Sequence, residues 1–381
     1  EAVQPGRRGR ADATVTVPVS GRTTYTYDQA GLASSSYAAA GVDIEAGDRA
    51  VELMKSRIQR ATRPEVVGGL GGFAGLFRLD IKKYRDPLLA TSTDGVGTKL
   101  AIAQALDKHD TIGQDLVGMV VDDLVVCGAE PLFMQDYIAV GKVIPERVAE
   151  IVGGIAVGCE LAGCARVGGE TAEHPGLMPD DHYDIAGVGV GVVEADGLLG
   201  AERILEGDVV IAMGSSGLHS NGYSLVRHVL LPALKLEQHI EEFGTTLGEE
   251  LLVPTRIYSL DCLAVIAETD VHAFAHITGG GLAANLARVL PEHLTARLDR
   301  SSWTPQPVFD LVQRTGRVEQ AEMDRTFNLG VGMVAVVPAA DVDRTLALLT
   351  ARHVPAWVVG ELTAGAGRAV LEGAHPACAL P

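Results

Sequence analysis

Hydrophobic positions along the chain recur with two periods, and their succession predicts alternating helices and strands. Ala50, Val51, Met54 and Ile58 follow helical spacing, so an amphipathic helix carrying Lys55 is predicted over 44–60. The run Leu88-Leu89-Ala90 reads as a strand, Ser92 to Lys99 as a loop, and Leu100 to Leu106 as a helix of good helix formers. Thr111 to Cys127 is apolar nearly all round, which predicts a buried helix. A strand over 133–140, a helix over 145–161 and an alternating strand over 183–194 follow. The pattern breaks near residue 200, where a domain boundary is predicted. Beyond it come a strand over 208–213, a loop Gly214 to Gly222 and a helix over 223–231. A second such unit has a strand over 271–277, the loop Thr278 to Gly281 and a helix over 282–290. Strands at 331–337 and 357–360 flank a helix over 341–349, and the chain is expected to fray from 366 to 381.

Composition narrows the class. At 381 residues, 47% of them hydrophobic and 21% charged, the chain has room for two domains with substantial cores. The 45 glycines point to many tight turns. A net charge of -18 argues against a nucleic-acid partner, because phosphate backbones need a basic surface. Any phosphate must therefore be bound locally. No apolar run reaches the length of a membrane span; even Leu116 to Val126 is interrupted by Asp122 and Asp123. Cys127, Cys159, Cys164, Cys262 and Cys378 are odd in number and form no C-x-x-C pair, as expected of reduced thiols in a cytoplasmic protein. Residues 1–36 carry Arg7, Arg8, Arg10 and Arg22 against Glu1, Asp12 and Asp28, with many Ser, Thr and Gly. That tail is expected to be disordered rather than a targeting peptide, since it has no apolar core and contains acids.

Candidate chemistry collects in glycine-rich stretches. In Ser92 to Lys99, two glycines allow close approach while Asp94 and Lys99 offer opposite charges, a combination suited to a metal-bound polyphosphate. A strand-to-helix turn whose Asp merely caps is the competing reading. Asp115, Asp122 and Asp123 interrupt the buried helix, and a buried carboxylate needs a partner or a metal. At about 100° per residue, Asp122 lies almost above Asp115 while Asp123 is turned about 80° away, so the three need not share a site. Val67 to Leu76 holds five glycines and is read as a lid over a ligand, with a structural turn as the competing reading. Glu170, after Gly168-Gly169, is a further acid beside glycines. The loops Gly214 to Gly222 and Thr278 to Gly281 each precede a helix N-terminus, where free amides favour anions. His219 is the histidine inside such a loop and the candidate for proton handling.

Taken in order, Tyr37-Ala-Ala-Ala-Gly-Val-Asp-Ile44, Gly69-Leu-Gly-Gly-Phe73, Thr93-Asp-Gly-Val-Gly-Thr-Lys99, Asp123-Leu-Val-Val-Cys-Gly-Ala-Glu-Pro131, Gly168-Gly-Glu-Thr-Ala-Glu173, His219-Ser-Asn-Gly-Tyr-Ser224, Ile277-Thr-Gly-Gly-Gly281 and Thr326-Phe-Asn-Leu-Gly-Val-Gly-Met333 resemble the phosphoribosylformylglycinamidine cyclo-ligases, or aminoimidazole ribonucleotide synthetases. The resemblance runs from about Tyr37 to about Leu362. It implies an α+β N-terminal domain over 37–200 that binds ATP and dimerises, and an α/β C-terminal domain over 201–365. It further implies a homodimer, ATP and formylglycinamidine ribonucleotide as substrates, and Mg²⁺ with the ATP.

Carried over by position, Asp94, Asp123 and Glu170 would hold the metal, and His219, Lys55 and Asp123 would be catalytic. Asp94, Lys99, Gly71, Gly72, Gly95, Gly97, Thr98, Thr171, Ser220, Asn221, Gly279 and Gly280 would meet ATP or phosphate. Relatives often have Lys-Asp where this chain has Ala38-Ala39, so that turn is not expected to be catalytic. Others carry Asn at Asp122, which makes Asp123 the more constrained acid. A thiamine-monophosphate kinase-like enzyme of the same superfamily and a non-catalytic nucleotide-binding dimer are the alternatives. Selenophosphate synthetase and the hydrogenase-maturation dehydratase fit less well, because no cysteine precedes Cys127 and Cys378 is not terminal.

Overall fold

The computed structural model describes residues 37, 40–68 and 72–376. The predicted disorder of 1–36, the Ala38-Ala39 turn, Gly71 and the last residues from 377 lie outside that set.

The first layer begins with helix α1 (Ile44–Ile58), where the Asp43 side chain accepts the Ala46 amide as an N-cap. A short hairpin of β1 (Val66–Val67) and β2 (Leu76–Phe77) brackets the glycine-rich segment. Then come β3 (Pro87–Gly95), α2 (Leu100–Leu106), α3 (Ile112–Val125), β4 (Glu130–Val140), α4 (Pro145–Ala162), β5 (Ala165–Glu173) and β6 (Tyr183–Glu194). Four of these strands make a sheet in the order β3-β6-β4-β5, with only the β4–β5 pair parallel. Helices α3 and α4 lie on one face of it, pressed so closely that a Cβ on Gly113 would stand 2.1 Å from the Ile155 amide. Only glycine permits that approach. The other face keeps Leu89, Tyr137 and Val188 exposed by 64%, 43% and 44%, so apolar surface is left uncovered there.

The second layer holds β7 (Val209–Gly214), α5 (Tyr223–Leu230), a small hairpin of β8 (His239–Ile240) and β9 (Thr245–Thr246), α6 (Leu247–Leu251) and α7 (Ser259–Glu268). It continues through β10 (Ala273–His276), α8 (Gly281–Ala287), β11 (Leu294–Asp299), α9 (Pro307–Gly316), α10 (Gln320–Thr326), β12 (Val331–Val337), α11 (Val342–Ala351), β13 (Ala356–Ala364) and β14 (Arg368–Glu372). Its sheet runs β10-β12-β7-β13-β11-β14, antiparallel except at β11–β14, with helices on both faces. Strand β12 is buried at every position, which accounts for its unbroken apolar run.

Three expectations change. Strand β3 persists through Asp94 to Gly95 because those residues pair with Gly187 and Ala186, so the loop begins only at Val96. Gly168, Gly169 and Glu170 likewise lie inside β5, opposite Gln135, Asp136 and Tyr137. The chain does not fray at 366: Arg368–Glu372 pairs parallel with β11 and packs Ala369 and Leu371 onto the core.

Candidate functional site

Helix α3 decides where the acids go. Asp115 and Asp122 face the segment Thr255 to Tyr258 of the second domain, and both are fully buried. Asp115 Oδ1 accepts the Lys99 ammonium at 2.8 Å, the Thr255 amide at 2.8 Å and the Thr255 hydroxyl at 2.7 Å. Lys99 gives its other two protons to the carbonyls of His219 at 3.1 Å and Val253 at 2.7 Å. All three donors are spent inside the protein. Lys99 therefore does not meet phosphate as expected; it stitches the two domains together. Burial pulls its pKa below the ordinary lysine value, against the pull of Asp115.

Asp122 accepts the Tyr258 amide with Oδ1 at 2.9 Å, and burial pushes its carboxyl up to about 7. Asp123, one residue on, is turned out of that seam. Its side chain is 42% exposed, and its Oδ1 accepts from His276 Nδ1 at 2.9 Å. Half-buried Asp94 at the end of β3 is raised by burial and then, after an opposing hydrogen bond from the Gly95 amide, by the charge of Asp123. Burial alone would lower the His276 imidazole. The Asp123 hydrogen bond and the charges of Asp122, Asp123 and Asp94 outweigh it, leaving the pKa above the usual histidine value. Of these groups, Asp123 and His276 line a cleft of about 430 Å³ between the domains, together with Ser92, Thr93, Asn285 and Arg288. An imidazole and a guanidinium facing one interdomain cleft can offset polyphosphate charge, and the Asp123 carboxylate beside them can take a cation or a proton donor.

Family models for AIR synthase related proteins match both layers, the N-terminal domain over 74–193 and the C-terminal domain over 206–372. The chain belongs to the phosphoribosylformylglycinamidine cyclo-ligase family. It is 56% identical over 328 residues to the cyclo-ligase of Desulfitobacterium hafniense, covering 86% of this chain and 96% of that one. The cyclo-ligase of Brevibacillus brevis is 50% identical over 342 residues, covering 89% and 99%. In fold alone, the chain resembles thiamine-monophosphate kinase from Stenotrophomonas maltophilia (TM-score 0.59, 17% identity, 86% of this chain and 96% of that one). It is similarly close to hydrogenase maturation protein HypE in complex with ATP (TM-score 0.59, 19% identity, 84% and 90%).

Against this cyclo-ligase fold, the expected site residues separate into groups. Asp94 is close enough to Asp123 to be affected by its charge, while Asp123 alone of the two lines the interdomain cleft. Glu170 does not join them. The register Asp94, Gly187, Asp136, Gly169 spans the whole first sheet, so Glu170 on β5 sits three strand spacings, about 14 Å, from Asp94. Among the described residues no three metal-ligating side chains converge. Lys55 is on exposed α1, paired with Glu52 at 2.5 Å, and lines a different cleft of about 500 Å³ with Gly68, Gly75, Leu76 and Arg166. Thr171, half-buried on β5, donates its amide to Glu170 Oε1 at 3.1 Å, and Gly72 is exposed beside the hairpin.

His219 is the largest departure. It is buried and takes φ +58°, a left-handed conformation that costs a non-glycine residue energy. Its Nε2 accepts the Ser216 amide at 3.1 Å, which leaves the proton on Nδ1, a buried atom without a partner. Burial first, then the charges of His276, Lys99 and Arg256, push its pKa well below the ordinary value. Gly332 makes room for it, since a Cβ there would stand 2.5 Å from His219 Cε1 and 2.1 Å from the Tyr258 hydroxyl. His219 thus shapes its loop as a neutral buried ring and does not line the cleft of Asp123. Ser220 turns inward to Thr255 at 3.1 Å. Asn221 accepts the Gly279 amide at 3.0 Å, which ties the two glycine-rich loops together beside Gly280. Thr98, following Gly97, meets Ser224 at 3.0 Å and ties the first loop to α5.

His276, Asn285 and Arg288 were not singled out from the sequence. The signal for His276 was adjacent: it directly precedes Ile277-Thr-Gly-Gly-Gly281 and ends a strand aimed at that loop.

Proposed function

We infer that this chain closes the imidazole ring of 5-amino-1-(5-phosphoribosyl)imidazole from formylglycinamidine ribonucleotide, with ATP converted to ADP and phosphate, in purine biosynthesis. The observation that carries this is half or more sequence identity to cyclo-ligases across both domains, together with an acid and histidine cleft between those domains. Ring closure requires an amidine nitrogen to displace a formamide oxygen, a very poor leaving group. Phosphorylating that oxygen makes it a good one.

The division of labour follows from position. Asp94 and Asp123 would hold Mg²⁺ through one carboxylate each, the rest of its shell coming from phosphate oxygens and water. Two acids close enough that the charge of one acts on the other fit that mode, whereas Glu170 is too distant to complete a protein-only cage. The ion's contribution, when bound, is to neutralise charge on the transferring phosphoryl group. Arg288, capping the C-terminus of α8, supplies positive charge at the cleft. His276 orients Asp123 through Nδ1 and is a positioning residue. We further propose that Lys55 and the glycine-rich hairpin handle part of a nucleotide, and that two copies pair over the exposed face carrying Leu89, Tyr137 and Val188. The free thiols of Cys127, Cys159, Cys164 and Cys262 suit the reducing cytoplasm in which we place the enzyme.

The test is one reaction tube holding protein, Mg-ATP and formylglycinamidine ribonucleotide, with ADP and the diazotisable amine of the product followed together. Equal yields establish the cyclo-ligase. ADP without the amine redirects the search to another acceptor, thiamine monophosphate first, and neither product refutes the assignment.

A further inference from the structure

A third cleft, of about 380 Å³, lies away from Asp123 and is lined by Gln114, Ser216, Ile257, Asp261, Arg256 and Arg352. Gln114 and Asp123 are nine residues apart on α3, so the two clefts sit about 13 Å apart along that helix. They share no lining residue. This cleft has two guanidiniums, Arg256 and Arg352, for the single lining carboxylate of Asp261. Asp261 is engaged by Arg352, with Nε to Oδ1 at 2.7 Å. Arg256 is half-buried and has no carboxylate within 4.0 Å among the described residues, and its Nε is a buried donor without an acceptor.

Asp261 acts on Arg256 only at longer range, its direct bond being to Arg352, so the Arg256 fork keeps donors to spare, and its planar geometry matches phosphate or carboxylate oxygens. We propose that the Arg256 cleft is an anion site that takes a phosphate group, either free orthophosphate or the phosphomonoester of a small molecule. The site is wired to the His219 loop. The Arg256 amide donates to Ser216 Oγ at 3.1 Å, Ser216 Oγ donates to the Pro254 carbonyl at 2.7 Å, and the Ser216 amide donates to His219 Nε2 at 3.1 Å. An anion drawn onto Arg256 therefore pulls on the same serine that holds His219, whose carbonyl in turn accepts from Lys99.

Binding is tested without turnover, so its failure is distinct from failure of the cyclo-ligase reading. Calorimetric titration of inorganic phosphate into the full chain at constant ionic strength should saturate at one site. Arg256→Gln should weaken that binding at least tenfold. Arg256→Lys, which keeps the charge and loses the fork, should fall between, and Asp123→Asn should leave it intact. Absence of saturable binding to the parent protein, or equal affinity in Arg256→Gln, overturns the proposal. The source of the phosphate is then read kinetically, a step that rests on the cyclo-ligase activity. A substrate phosphate predicts at least a tenfold rise in the KM for formylglycinamidine ribonucleotide in Arg256→Gln, with orthophosphate competitive against it. A separate effector predicts an unchanged KM and a non-competitive effect of orthophosphate that Arg256→Gln removes.

Discussion

The two ends of α3 carry acids with opposite fates. At the N-terminal end Asp115 is sealed into the domain seam, with four donors gathered on one oxygen. At the C-terminal end Asp123 is nearly half exposed and holds a single imidazole. The first arrangement shuts its other oxygen, Oδ2, in the interior where no ligand reaches it; the second keeps an oxygen free beside a cleft. Burial of a charge is therefore a poor guide to chemistry in this helix, and incomplete satisfaction beside a cleft is a better one.

The comparison breaks most visibly at its closed end. Asp115→Ala leaves the Lys99 ammonium buried without a counter-charge and should cost about 3–5 kcal/mol in urea unfolding. Lys99→Met in the same chain should recover part of that loss. A variant within about 0.5 kcal/mol of the parent, the size of an ordinary surface change, would show that the pair is solvated. At the open end, Asp123→Asn should lower kcat on the order of 100-fold while the melting temperature stays near the parent's. NMR titration should also show His276 falling, because its largest raising partner is gone while its burial remains.

Asp122 sharpens the contrast through pH. Its folded pKa of about 7 is well above the unfolded value of about 3.9, so the native state binds more protons than the unfolded one between those limits. Stability from this group is accordingly greatest at low pH and falls as pH rises through that window. Raised His276 acts in the same direction: its contribution is full below about 6.5 and is lost as pH passes its higher folded value. Asp122→Asn keeps an acceptor for the Tyr258 amide and removes the ionisation. It should flatten the pH dependence between 4 and 7 and stabilise the protein at pH 8, read by thermal melts across pH.

Much of this was legible beforehand because it depends on local periodicity. Helical arithmetic alone separated Asp123 from Asp115 and Asp122, alternation placed β6 at its observed limits, and an unbroken apolar run did the same for β12. What escaped was long-range. Nothing near Lys99 announces that Val253 and the His219 carbonyl will take its remaining protons, since both partners lie more than a hundred residues away. His219 drew notice because it sits among glycines, yet its buried position is set by Tyr258 and Gly332 from distant segments. Glu170 failed as a partner of Asp94 because strand order is not written in the motifs: two strands separate β3 from β5.

The smallest effect tests whether the hairpin cleft has any part in the reaction. Lys55 and Glu52 form an exposed i,i+3 pair, so Lys55→Ala should change stability by no more than about 0.5 kcal/mol. Any kinetic change then reports on ligand contact rather than on folding. If Lys55 reaches ATP, its loss raises the KM for ATP several-fold and leaves kcat near the parent value, the opposite of the pattern expected for Asp123→Asn. Unchanged KM values for both substrates would instead remove the hairpin cleft from nucleotide binding. The chemistry would then rest on the interdomain cleft alone, with Arg288 as its cation.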